Sequence, residues 1–320
     1  MMRALPVAAG TPVLATLTLL LLVAPAPAAE PTIYRGMCDA SAAVALGPDH
    51  FVVGDDEHNV LQIYRRGQPD PAGHVPLQSF LGTKKDKESD IEGAATIGSR
   101  IYWITSHGTN SDGEVQDRRR RLFATDIVDG ATPTVKTAGK RYDLLVDDLA
   151  GLPTYKLGDA ALIAPKKPNG LSIEGLAEGP GGTLYVGFRN PIPGKQALIV
   201  PIRNPAALID RENDDVRAEL GEPIELDLDG LGIRSLERDG DGYLIVAGPI
   251  DENGTSVLRR WSGAKGAKPT PVAGADFTGL NPEALFLIPN STKLQILSDD
   301  GKVGGKKCPT DQFRSVIIER

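Results

Sequence analysis

The chain has 320 residues, of which 24% are charged, with a formal net charge of −7 and only two cysteines. The acidic balance argues against a general nucleic-acid binder, which needs a basic surface to meet phosphate, and two cysteines exclude a cysteine-only metal centre. Hydrophobic residues make up 41%, a composition that suits a globular protein.

Met1-Met2-Arg3 is a weakly basic start, Thr11 to Val23 is apolar, and Ala26-Pro27-Ala28 is a small-residue cleavage pattern. This order reads as a signal peptide over 1–28, followed by a single domain over 29–320 that is secreted or periplasmic. The apolar stretch is short for a bilayer and nothing later exceeds it, so no membrane span is expected.

From there a phrase recurs five times: an apolar strand, a tight turn, a second strand with polar residues at its end, then a third strand. The copies begin near Ala40-Ser41, Glu92-Gly93, Glu174-Gly175, Arg234-Ser235 and Glu283-Ala284. Turn residues follow each first strand, as in Gly47-Pro48-Asp49, Gly181-Gly182 and Asp239-Gly240-Asp241-Gly242. Third strands fall at Val60 to Tyr64, Leu122 to Ile127, Ala197 to Ile202, Val257 to Trp261 and Phe313 to Ile318. Fourth strands are expected at His74 to Leu81, Thr134 to Thr137, Glu222 to Leu228 and Pro269 to Ala273. Repeats of four short strands specify an all-β fold, a β-propeller of five blades. The fifth copy lacks a fourth strand, which Pro31 to Arg35 would supply from the other end of the chain, covering two open sheet edges at once.

The longest interruption, about 140–168, has helix-like apolar spacing over Tyr142 to Leu149, stopped by Gly151 and Pro153, with a further helical turn over Ala160 to Ala164. It reads as a short helical insertion, with a degenerate sixth blade as the alternative. Cys38 and Cys308 are the sole pair at the two ends of the domain. In an oxidising compartment they are expected to join and lock the ring, with two free buried thiols as the alternative.

Placed around a ring, Ala40, Glu92, Glu174, Arg234 and Glu283 share one mouth of the central channel, each followed by a small residue where the strands crowd. Second-strand ends bring Asp55, Asp56, His107, Arg189, Asn190, Asp299 and Asp300 to the same face, and Asp90 joins them. Unpaired carboxylates at close range raise one another's pKa. Either Glu92, Glu174 and Glu283 hold a hard cation such as Ca²⁺, or Arg189 and Arg234 pair with them and leave a mixed-charge site for an anionic or sugar-like ligand; a third reading gives the glutamates only a structural role. Asp55, Asp90, Arg189, Asn190, Arg234 and Asp299 are then candidate ligand contacts. In the hydrolase reading a cation held by Glu92, Glu174 and Glu283 polarises the substrate and His107 or a spare carboxylate activates water, so His107 and Glu174 are the candidate catalytic residues.

No G-x-S-x-G, H-E-x-x-H or G-x-x-x-x-G-K motif occurs. The run Arg118 to Arg121 adjoins Asp112, Glu114 and Asp117 and reads as a self-neutralised loop. The phrases Ser89-Asp90-Ile91-Glu92-Gly93, Leu171-Ser172-Ile173-Glu174-Gly175-Leu176, Gly187-Phe188-Arg189-Asn190-Pro191, Gly232-Ile233-Arg234-Ser235 and Ala247-Gly248-Pro249 resemble a bacterial family known as domain of unknown function 3616, from about Arg35 to the C-terminus. That resemblance implies no activity. The Ile-Glu-Gly phrase is also similar to esterase-like phytase propellers, which implies ester or phosphoester hydrolysis. The functional expectations are therefore an exported protein binding a small or extracellular ligand, with or without a cation; a metal-assisted hydrolase; or a non-catalytic scaffold.

Overall fold

The computed structural model describes Met1, Met2, Ala4 and residues 30–320 except Asp56, Lys85, Asp86, Glu252, Gly304 and Gly305. The expected signal peptide and Asp56 therefore lie outside the described residues, Met1, Met2 and Ala4 apart.

Five four-stranded antiparallel sheets form a ring, a five-bladed propeller. The inner, second, third and outer strands of the first blade are Ala40–Ala45, His50–Asp55, Val60–Arg65 and Gly73–Pro76. The second blade uses Ile91–Ile97, Arg100–Thr105, Leu122–Val128 and Thr134–Tyr142. The third uses Ser172–Glu178, Leu184–Asn190, Ala197–Ile202 and Ile224–Leu226. The fourth uses Gly232–Asp239, Gly242–Gly248, Val257–Trp261 and Thr270–Pro271. In the fifth, Pro282–Leu287, Lys293–Ser298 and Gln312–Glu319 are completed by Thr32–Arg35, which pairs antiparallel with Gln312 to Ser315. The terminal strand thus closes the ring, and Cys38 and Cys308 are joined with a Cα separation of 5.6 Å.

What holds the ring is the period of two along each strand, which sends alternate side chains to opposite neighbours. In the fourth blade Tyr243, Ile245 and Ala247 pack against Tyr185 and Ile199 of the third, while Leu244 and Val246 pack against Leu285 and Ile296 of the fifth. Each of the five junctions has its own apolar cluster. The junction of the fifth and first blades uses Tyr34, Phe51, Tyr64, Phe286 and Phe313, so the N-terminal strand contributes to the core as well as to the sheet.

The insertion carries helices Leu145–Leu149 and Leu157–Ala160 and no sixth blade. Its second helix ends where the expected helical turn begins, and Leu157, Ala160 and Ala161 pack inward. Two other helices, Gln78–Leu81 and Pro205–Asp210, replace what the sequence suggests is strand end or loop. The second lies on the outer strand of the second blade at Gly139, where φ is +54° and a Cβ would stand 2.3 Å from the carbonyl oxygen of Ile209. Only glycine permits both. Among the described residues no helix is long and apolar enough to cross a membrane.

Candidate functional site

Every inner strand breaks its register near its start. The pairing slips between Ala40 and Ala42, Ile91 and Gly93, Ile173 and Gly175, Ile233 and Ser235, and Pro282 and Ala284. The extra residues are Ser41, Glu92, Glu174, Arg234 and Glu283. A bulge leaves one residue unpaired and re-aims its side chain, so the five-fold repeat delivers five polar side chains to one mouth. In the first blade the ring member is Ser41 and not Ala40; the small residue after it is Ala42.

These side chains touch across blades. Arg189 Nη1 lies 2.8 Å from Glu174 Oε1, which also accepts a hydrogen bond from Ser172 Oγ at 3.2 Å. Arg234 stands between Glu174, with Nε 3.7 Å from Oε2, and Glu283, with which it forms a tighter ion pair. Glu283 also accepts hydrogen bonds from Ser41 Oγ and Asn281 Nδ2, each at 3.1 Å. Glu174, Arg234 and Glu283 are all buried. Burial lowers the Arg234 guanidinium from its ordinary value, and Glu174 offsets part of that. The outcome is a chain of alternating charge, Arg189–Glu174–Arg234–Glu283, holding the third, fourth and fifth blades together.

Glu92 is different. Among the described residues its carboxyl forms no hydrogen bond or ion pair. Burial, then Asp90 and Glu174, push it well above the usual carboxylate range, with Arg189 opposing. Asp90, at φ +64°, is paired with Arg119 at 3.2 Å and is raised by burial despite that partner. Asp299 accepts from the Gly301 amide at 2.8 Å and from Asn281 Nδ2 at 3.3 Å, and burial raises it too. Beside it, burial and Asp299 push Asp39 up to about 8. Asp39 is a residue the sequence does not mark; its place next to the disulfide, at the start of the first inner strand, is the available signal.

Other expected contacts sit elsewhere. Asp55 is buried but turned to its own loop, accepting from the amides of Glu57 and His58 at 3.0 Å and facing the His58 ring at 3.0 Å. Asn190 Nδ2 donates to the carbonyls of Pro165 and Lys167, both at 2.7 Å, which ties the insertion to the third blade. Asp300 is held by Arg314 at 2.7 Å.

His107 departs most from expectation. The ring is fully buried, Nδ1 lies 2.8 Å from the Thr105 carbonyl, and Nε2 is enclosed without a hydrogen-bond partner among the described residues. Burial pushes it down to about 4. The backbone turns at φ +56° and folds the residue back into its loop instead of out to the rim.

The cavity on the propeller axis lies at the opposite mouth. It has a volume of about 380 Å³ and is lined by residues from all five inner strands, among them Val44, Ala95, Glu178, Glu237 and Leu287.

Residues 135–292 match the family described as "Protein of unknown function (DUF3616)". This segment belongs to DUF3616. The DUF3616 match runs from the outer strand of the second blade into the fifth, which is shorter than the span expected from Arg35 to the C-terminus. It includes Glu174, Arg189, Arg234 and Glu283 but not Glu92 or Asp299. The phytase likeness is not shown. No curated protein matches the chain. Among solved structures, glutaminyl cyclase from Myxococcus xanthus is 12% identical, covering 90% of this chain and 95% of that one at a TM-score of 0.46. The PQQ-bound form of an aldose sugar dehydrogenase from Streptomyces coelicolor is 10% identical, covering 92% and 100% at 0.40. An exo-β-1,3-galactanase from Phanerochaete chrysosporium is 8% identical at 0.49, covering 91% of this chain, which spans only 63% of that one. Likenesses this distant carry no argument about the chemistry of this chain.

Proposed function

We propose that this protein is an exported binding propeller that takes a small extracellular ligand together with a cation at the mouth ringed by the five bulges. The observation that carries the reading is Glu92, the one ring carboxyl that no arginine, amide or hydroxyl partners among the described residues. A desolvated carboxyl in that position is relieved either by holding a proton or by meeting positive charge.

The cation set differs from the three glutamates expected. Glu174 and Glu283 are committed to Arg189 and Arg234, so Glu92 is the principal ligand, with Asp90 and Asp299 as its acidic neighbours. A hard cation such as Ca²⁺ suits carboxylate oxygens of this kind and completes its shell with water or ligand oxygens. The alternating arginines and glutamates behind it form a fixed wall for a polar ligand. Metal-assisted hydrolysis would need a base at this mouth; His107 is enclosed in its own loop, which leaves that role to a spare carboxylate.

Elemental analysis of the purified protein, with melting measured before and after chelation, tests the reading. A bound cation stabilises the native state by mass action. A metal-free protein indifferent to chelator and to added calcium would remove it.

A further inference from the structure

The inner strand Gly232–Asp239 runs between the two mouths, with Arg234 at one end and Glu237 toward the other. At the second mouth Glu237 reaches into the cavity of about 380 Å³. Its Oε1 accepts the backbone N–H of Leu287 at 3.2 Å, a bond from the fourth blade to the fifth. Its Oε2 has no hydrogen-bond partner among the described residues. The walls facing it from the first, second and fifth blades are Val44, Ala45, Ala95, Thr96 and Leu287, none of them charged.

The charged groups nearby are already committed. Arg238 is paired with Glu178 at 3.2 Å and donates to the Gly240 carbonyl. Asp239 is paired with Arg260 and Arg320. Among the described residues no side-chain cation is paired with Glu237.

We propose that this second mouth binds a small primary amine in its ammonium form, with Glu237 Oε2 as counter-charge and the aliphatic wall as the seat for a short apolar body. Glu178 and Arg238 line the same cavity but are paired with each other, so Glu237 alone is a poor cage for a divalent ion, which takes six or more oxygens, and the cavity carries one net negative charge for a cation to meet. An alkylammonium matches both halves of the lining. The site is distinct from the Glu92 mouth and does not depend on what binds there.

The sign of the pH dependence follows from the carboxyl. Burial pushes Glu237 up to about 8, with the Leu287 amide opposing and Asp239 adding. The ammonium needs the ionised form, which is about 3% of the total at pH 6.5 and about 90% at pH 9, while an alkylammonium stays charged. Calorimetric titration of the mature protein with n-butylammonium chloride is therefore expected to show affinity about 30-fold tighter at pH 9 than at pH 6.5. Glu237→Gln, which keeps an oxygen for the Leu287 amide, is expected to abolish binding at both. Absence of binding at pH 9, equal affinity at the two pH values, or equal binding of 1-butanol would overturn the proposal, and these three results need no variant.

Discussion

Arg234 of the fourth blade and Glu283 of the fifth form an ion pair in which neither side chain is more than 9% exposed. Because Arg234 also faces Glu174, which Arg189 pairs from the other side, it bridges carboxylates from two blades. Breaking such a pair from one side leaves a charge in a place water barely reaches. Arg234→Met is expected to destabilise by about 3–5 kcal/mol. The double change Arg234→Met with Glu283→Gln should return part of that loss, and denaturant unfolding of both variants measures it.

Stability should fall as pH rises from about 5 to about 8. Glu237 and Asp39 are each raised to about 8, and Glu92 is raised as well. Their folded pKa values lie above the unfolded ones, so the native state holds extra protons between the two. The stabilisation is present below the unfolded value and is lost as pH climbs through the folded one. One proton corresponds to at most about 1.4 kcal/mol per pH unit. Glu237→Gln should flatten the slope of melting temperature against pH.

The disulfide spans 270 residues. In the chain-entropy model such a loop is worth about 5–6 kcal/mol, less any strain. Cys38→Ser should therefore unfold at clearly lower denaturant concentration. The bond is closer to the mouth than its expected role as a clasp suggests: the Cys38 carbonyl accepts from the Asp300 amide at 2.9 Å, and Asp39 adjoins Asp299. Non-reducing peptide mapping checks the bond itself.

Gly93 marks how closely the second and third blades approach. A Cβ there would stand 2.8 Å from the backbone oxygen of Glu174. Backbone cannot swing aside as a side chain can, so Gly93→Ala should cost about 1–3 kcal/mol, read by thermal unfolding.

The strands were legible because their signals are local. Turn residues such as Gly181-Gly182 and alternation such as Tyr243-Leu244-Ile245-Val246 state where a strand turns and which sides it faces. The bulges were not, since an extra residue interrupts the period of two, which is why Ala40 stands in the sequence alignment where Ser41 stands in the ring. Partner choice was also hidden. Nothing near Arg234 in the chain names Glu283, and the left-handed residue in the turn that withdraws His107 is the histidine itself and not the neighbouring Gly108. The helix Pro205–Asp210 begins on its proline and is only six residues long, below the length at which apolar period is informative.

The most direct test is calorimetric titration of Ca²⁺ into the mature protein at neutral pH, in two buffers of different ionisation enthalpy, beside the Glu92→Gln variant. A raised Glu92 carboxyl must release its proton to the buffer when it binds a cation. The expected result is saturable binding to the parent protein with proton release, and binding at least tenfold weaker, without that release, in the variant. Parent protein that takes up no calcium, or a variant that binds it equally well, would contradict the account.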